Sequence, residues 1–117
     1  MKDEFQRILI IAAHPDDEVL GSGGLIHKSS NLGSAIRIVF MAEGNSSRFT
    51  EINALNKKQL EKLINVRERC ALESLTFLGV DPKEIYFSRR KCCQLDTYPR
   101  LHLTKEIEKH IKEFQPS

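Results

Sequence analysis

The sequence predicts an α/β domain built on a parallel sheet with flanking helices. Three observations carry that expectation. Ile8-Leu9-Ile10-Ile11-Ala12-Ala13 is a continuous apolar run, rich in β-branched residues and closed by Pro15, which suits a strand buried on both faces. Two further strand-like runs follow it, and a helical pattern follows each of the three. Strand and helix alternating three times is the order of a parallel sheet with right-handed crossovers.

After the first strand, Pro15-Asp16-Asp17-Glu18 reads as a helix start, because proline suits the first turn and acids complement the positive end of the helix dipole. The helix is expected to run to about Ser29 and to end at Asn31-Leu32-Gly33. Ala35 to Ala42 gives the second strand through Ile36, Ile38, Val39, Phe40 and Met41. Gly44-Asn45-Ser46-Ser47 is a loop by composition. From about Asn56 to Leu78 the period is helical, with Leu60, Leu63, Ile64, Cys70, Ala71, Leu75 and Leu78 on one broad face and Gly79 at a natural C-terminal cap. Asp81-Pro82 makes a turn, and Glu84 to Phe87 reads as the third strand. Leu103, Ile107, Ile111 and Phe114 mark the last helix, ended by Pro116.

The chain has 117 residues, enough for one modest core, and no repeat, linker or low-complexity tract divides it. The pattern stops where a fourth strand is expected. Residues 1–117 are therefore read as a single incomplete domain, truncated after the third strand–helix unit. A formal net charge of +2 is too small to argue for a nucleic-acid or membrane partner. The densest basic patch, Arg89-Arg90-Lys91, is expected to be a solvated loop. The longest apolar stretch falls far short of a membrane span. Three cysteines, and a start at Met1-Lys2-Asp3-Glu4 that is not a secretory leader, lead us to expect a cytoplasmic protein. An exposed last strand edge favours association, so a homo-oligomer is among the expected partners.

The chemistry concentrates in Ala13-His14-Pro15-Asp16-Asp17-Glu18. Ligands of α/β sheets bind outside the carboxyl ends of the strands, and His14 sits at such an end with three acids close behind it. A histidine and carboxylates converging there suit a divalent metal, zinc above all. Three other readings compete. The acids could serve only the helix dipole, although that leaves His14 unexplained. A dinucleotide-binding module would use Glu43, at the end of the second strand, on a ribose. The turn after the first strand, however, lacks Gly-x-Gly-x-x-Gly, and Gly21, Gly23 and Gly24 come too late. A magnesium site of phosphatase type suits paired acids but uses His14 less well. Arg67 is separate from these. Its neighbours at three and four residues are Leu63, Ile64, Cys70 and Ala71, so it points to the buried face and needs an anionic partner such as Glu43 or Asp16.

Ala-His-Pro-Asp-Asp-Glu resembles the signature of the LmbE-like/PIG-L family of zinc-dependent deacetylases. Phe40 to Arg48 is similar to that family's second strand and following loop, and Arg67 to Gly79 to its arginine-led helix ending in Leu-Gly. Leu95-Asp96 and the helix from Leu101 to Phe114 fit as well. The resemblance covers the whole chain but only about the first half of a full member. It implies a Rossmann-like fold and removal of an acetyl group from an N-acetylglucosamine-type sugar conjugate. It also implies Zn2+ held by His14 and Asp17, Asp16 as general base, and Arg67 and Asp96 on the substrate side.

Two departures qualify this. The family takes its third metal ligand from a His-x-Asp-His-like segment after a fourth strand, which this chain does not reach. His27, His102 and His110 stand in other contexts and are expected to be surface or core residues, so metal affinity is expected to be weak. Relatives often carry a Pro-Asp pair ahead of Leu-Asp. Aligned through Leu95-Asp96, that acid falls on Cys92, which bears on substrate binding. The expected function is thus metal-dependent N-deacetylation. A truncated, non-catalytic remnant, or a half-domain needing a partner chain, is the first alternative. A nucleotide-binding module is the weaker one.

Overall fold

The computed structural model describes residues 6–49 and 51–117. The segment Met1–Glu4, read above as no secretory leader, lies outside them. Three strands form one parallel sheet in the order β1-β2-β3: β1 (Arg7–Ala12), β2 (Ala35–Ala42) and β3 (Ile85–Arg90). Three helices connect or follow them: α1 (Asp17–Asn31), α2 (Ala54–Phe77) and α3 (Arg100–Phe114).

β2 is central and buried nearly throughout, which explains why it is apolar at every position except Arg37. Its two faces differ. Ile36, Ile38 and Phe40 join Ile26 of α1 and Ala71 and Leu75 of α2 in the core, with Ile85 from β3 and Val80 before it. Phe40 and Phe87 stack on this face with ring centroids 5.1 Å apart. The opposite face carries Arg37, buried between the rings of Tyr86 and Phe114 and paired with Glu84 at 2.6 Å and Glu113 at 3.4 Å. His110 and Phe114 of α3 cover this side, and His110 stands edge-on to Tyr86.

Glycine stops two of the helices. After α2, the Gly79 amide donates to the Thr76 carbonyl and the Val80 amide to the Leu75 carbonyl, with Gly79 at φ 98°. The same pair of bonds closes α1 through Gly33 and Ser34. Asn53 starts α2 by accepting the Asn56 amide on its side chain.

Three expectations are corrected in detail. α1 begins at Asp17 rather than Pro15, because Asp16 takes φ 111° and cannot continue a helix. β3 runs on through Arg90 instead of ending at Phe87. Arg89 and Arg90 therefore belong to the strand and not to a loop, although Arg89 is exposed and Lys91 lies exposed beyond the strand as expected. Arg89 is paired with Glu68 of α2 at 2.8 Å, and Arg90 with Glu106 of α3.

The outer edge of β1 has one further neighbour. The Ser117 amide donates to the Arg7 carbonyl at 3.0 Å, and the Arg7 amide donates to Ser117 Oγ at 3.2 Å. Backbone groups alternate in direction along a parallel strand, so Leu9 and Ile11 point theirs to the same outer side as Arg7. Among the described residues, no helix is long and apolar enough to cross a membrane.

Candidate functional site at the carboxyl end of the sheet

All three strands end on the same side, and β1 and β2 there deliver the polar segments singled out above. The Ala42 amide donates to the Ala13 carbonyl at 2.8 Å, which holds the end of β2 beside the turn that leaves β1. That turn is His14-Pro15-Asp16. Its acids fold back onto it: Asp17 Oδ2 accepts the His14 amide at 3.3 Å, and Glu18 Oε2 accepts the Asp16 amide at 2.9 Å. These bonds supply partners for backbone donors that a helix start would otherwise leave unsatisfied. The structural role considered for the acids is thus real, and it coexists with the convergence of side chains.

His14 and Asp17 come together. Nδ1 of His14 lies 3.5 Å from Asp17 Oδ2, is buried, and has no hydrogen-bond partner. A buried ring nitrogen left unpaired beside a carboxylate is the arrangement a divalent cation would satisfy. Among the described residues, no group of three or more His, Cys, Asp and Glu side chains converges on one point. His14 and Asp17 therefore fit two corners of a metal site and not a whole one.

Asp16 is held from the other side. Arg67 of α2 reaches it with Nη2 at 2.9 Å. The same guanidinium donates to the Pro15 carbonyl from Nε and Nη2, at 3.1 and 2.7 Å, and to the Gly44 carbonyl from Nη1 at 2.8 Å. Of the two anionic partners expected for Arg67, Asp16 is the one it takes. All three of its nitrogens are engaged with the chain, which suits positioning better than contact with a substrate. Gly44, at φ 85°, passes so close that a Cβ there would lie 2.9 Å from Arg67 Nη1 and 3.1 Å from His14 Cβ.

Glu43 does something the sequence did not suggest. Its carboxylate accepts the amides of Asn45, Ser46 and Cys92, the last at 3.1 Å. Burial works to raise its pKa, but hydrogen bonds from the Ser46 side chain and from the Asn45, Cys92 and Ser46 amides outweigh it and leave the pKa lowered. Glu18 is the reverse case. It is 2% exposed, and burial raises its pKa against the bonds it accepts, with Asp16 and Asp17 adding to the rise. A glutamate followed by Gly-Asn-Ser was the only signal available for Glu43, and nothing local marks Glu18 as buried.

The other candidates lie apart. Asp96 is exposed in a short 3-10 turn (Leu95–Thr97) after β3, at the same end of the sheet but outside the Asp16–Arg67 cluster. His27 and His102 are exposed, and His110 is buried on the face covered by α3.

With fold and site in view, the chain belongs to the PIG-L family, described as GlcNAc-PI de-N-acetylase, which it matches over residues 9–117. Among solved structures it is similar to the N,N'-diacetylchitobiose deacetylase of Pyrococcus horikoshii. That likeness has a TM-score of 0.78 and 29% identity, and covers 97% of this chain and 39% of that one. It is also similar in fold to the 4-carboxy-2-hydroxymuconate hydratase of Pseudomonas putida KT2440. There the TM-score is 0.73 and the identity 19%, over 95% of this chain and 44% of the hydratase. No curated protein sequence matches it. The chain thus spans 39% and 44% of the length of these two structures.

Proposed function

We propose that this chain carries the metal-binding half-site and general base of a zinc-dependent deacetylase acting on N-acetylglucosamine-type conjugates. The observation that carries the reading is the buried Nδ1 of His14, without a hydrogen-bond partner and 3.5 Å from Asp17 Oδ2, with Asp16, the residue before Asp17, held by Arg67. Family membership and the likeness to a chitobiose deacetylase support the substrate class. His14 and Asp17 would hold the zinc, whose Lewis acidity acts on the acetyl carbonyl and on water.

The chain's own residues do the rest. Asp16 is bound by Arg67 through Oδ2, which leaves Oδ1 to take a proton from the attacking water and return it to the departing amine. Arg67 is a positioning residue, since it fixes Asp16 and the two carbonyls that flank the site. Asp96, at the same strand ends, is assigned to the substrate side. The three free thiols support the cytoplasmic assignment.

The test is release of acetate from an N-acetylglucosaminide by the 117-residue chain with added zinc. The expected result is slow release, since two ligands hold zinc loosely, that Asp16→Asn abolishes without unfolding the protein. Release unchanged in Asp16→Asn would overturn the role of Asp16.

One observation favours a second reading, in which the chain is one half of a catalytic domain. The outward backbone groups of Leu9 and Ile11 continue the line on which Ser117 already pairs with Arg7. An added polypeptide would extend that pairing toward His14. In this reading the chain alone releases no acetate, and the added polypeptide protects the Leu9 and Ile11 amides from hydrogen exchange.

A further inference from the structure

Two sulfur atoms meet just beyond β3. Neighbouring residues of an extended chain send their side chains to opposite sides, which normally keeps adjacent cysteines apart. Here the chain turns after Arg90, and Cys93 takes φ 59°. Cys92 Sγ and Cys93 Sγ lie 3.7 Å apart as a result. Both are free thiols, as is Cys70, which is exposed on α2.

The two thiols have different surroundings. Cys93 is exposed and Cys92 is 4% exposed. Burial pushes the Cys92 thiol up, the Ser47 hydroxyl opposes this, and Cys93 and Glu43 add to the rise. A thiol that attacks a reagent must be reachable, whereas one that resolves the product need only be near. Cys93 has the first property and Cys92 the second.

We propose that Cys92 and Cys93 form a reversible redox dithiol whose oxidant is a low-molecular-weight disulfide. Cys93, having given its proton to water, bonds to one sulfur of the reagent. The reagent's S–S bond breaks and one thiolate leaves. Cys92 then loses its proton and attacks Cys93 Sγ, which closes the internal bond and expels the second thiolate. Two protein thiols are oxidised to one disulfide, and the reagent disulfide is reduced to two thiols. The small ring closed between neighbours is strained, so the bond is easily reduced again, as suits a labile disulfide rather than a structural one.

The position gives the pair something to act on. The Cys92 amide is bound by Glu43 and by Ser46 Oγ, at 3.1 and 3.0 Å, and Ser47 Oγ donates to Cys92 Sγ at 3.6 Å. Closing the bond draws Cys92 Sγ from Ser47 and works on the segment that begins at Gly44, where Arg67 is anchored. The dithiol borders the candidate site without depending on its activity.

The experiment equilibrates the reduced Cys70→Ser chain, which keeps both thiols, with glutathione buffers of graded composition, followed by peptide mapping in a mass spectrometer. The expected product lacks two hydrogen atoms, on the peptide holding Cys92 and Cys93, and reverts fully in reduced glutathione. Phenylarsine oxide, which bridges paired thiols, is expected to bind once per chain and to block the oxidation. Cys93→Ser, a change at an exposed position, is expected to lose both behaviours. A stable glutathione adduct on Cys93 in place of the internal bond would overturn the proposal. Arsenical capture that survives Cys93→Ser would overturn it as well.

Discussion

Arg67 and Asp16 are joined at 2.9 Å, across 51 positions of sequence. The same guanidinium also clasps the carbonyls of Pro15 and Gly44, so one side chain of α2 ties the turn after β1 to the loop after β2. Arg67→Ala is expected to cost about 1.5–3 kcal/mol in urea unfolding, the range for losing hydrogen bonds to a charged group. Arg67→Lys is expected to recover only part of this, since a point charge cannot fork across several acceptors. Unchanged stability in Arg67→Ala would sink the clasp.

Gly44 is fixed by both conformation and space. At φ 85°, with Arg67 Nη1 at 2.9 Å and His14 Cβ at 3.1 Å from any added Cβ, both inside ordinary van der Waals contact, alanine is strained and crowded. Gly44→Ala is expected to cost ~1–3 kcal/mol. Gly21, inside α1 with nothing within 4 Å, is the control. Gly21→Ala is expected to be neutral or stabilising by up to about 1 kcal/mol, from helix propensity alone. Thermal unfolding of the two variants side by side separates them.

Glu43 and Glu18 titrate in opposite senses. The folded pKa of Glu43 is lowered from its ordinary 4.5, so its contribution is present above that value and is lost as the pH falls through the folded pKa. The folded pKa of Glu18 is raised from the same value, so its contribution is present below 4.5 and is lost as the pH rises through the folded pKa. At neutral pH, Glu43→Gln is expected to destabilise, because a neutral amide holds three backbone amides less well. Glu18→Gln is expected to stabilise, because it removes a buried ionisation and keeps an oxygen for the Asp16 amide. Urea midpoints at neutral and mildly acidic pH give both signs.

The face under α3 adds a third pH effect. Burial lowers the pKa of His110 from 6.5, Arg37 lowers it further, Glu106 and Glu113 oppose this, and Lys109 acts with Arg37. Tyr86 packs against the ring. A histidine with a depressed folded pKa is neutral in the fold and protonated first in the unfolded chain. Stability is therefore expected to fall as the pH drops below 6.5 toward the folded pKa, and His110→Gln should flatten that slope.

The strands and the convergence at His14 were legible because they rest on local pattern. β2 was read to the residue, since a strand covered on both faces is mostly apolar, and its one charge, Arg37, is paired with Glu84 and Glu113. The His-Pro-Asp-Asp-Glu turn was legible because its polar residues follow a strand end directly. What escaped depends on partners far along the chain. Arg89 and Arg90 looked like solvated basic residues, yet they extend β3 because Glu68 and Glu106 meet them. Glu43 resembled a ligand-binding acid, but it binds the Cys92 amide 49 positions away. The positive φ of Asp16, which moves the start of α1 to Asp17, comes from its clasp by Arg67 and its bond to Glu18, neither of which a propensity rule registers.

Zinc calorimetry on the folded 117-residue chain is the direct measurement of a divalent-metal half-site at His14 and Asp17. Binding is expected at a single site, weaker than a three-ligand catalytic centre gives. Either His14→Ala or Asp17→Ala is expected to abolish the binding, and His27→Ala to leave it intact. No zinc binding by the folded chain, or binding that survives both substitutions, would contradict the half-site.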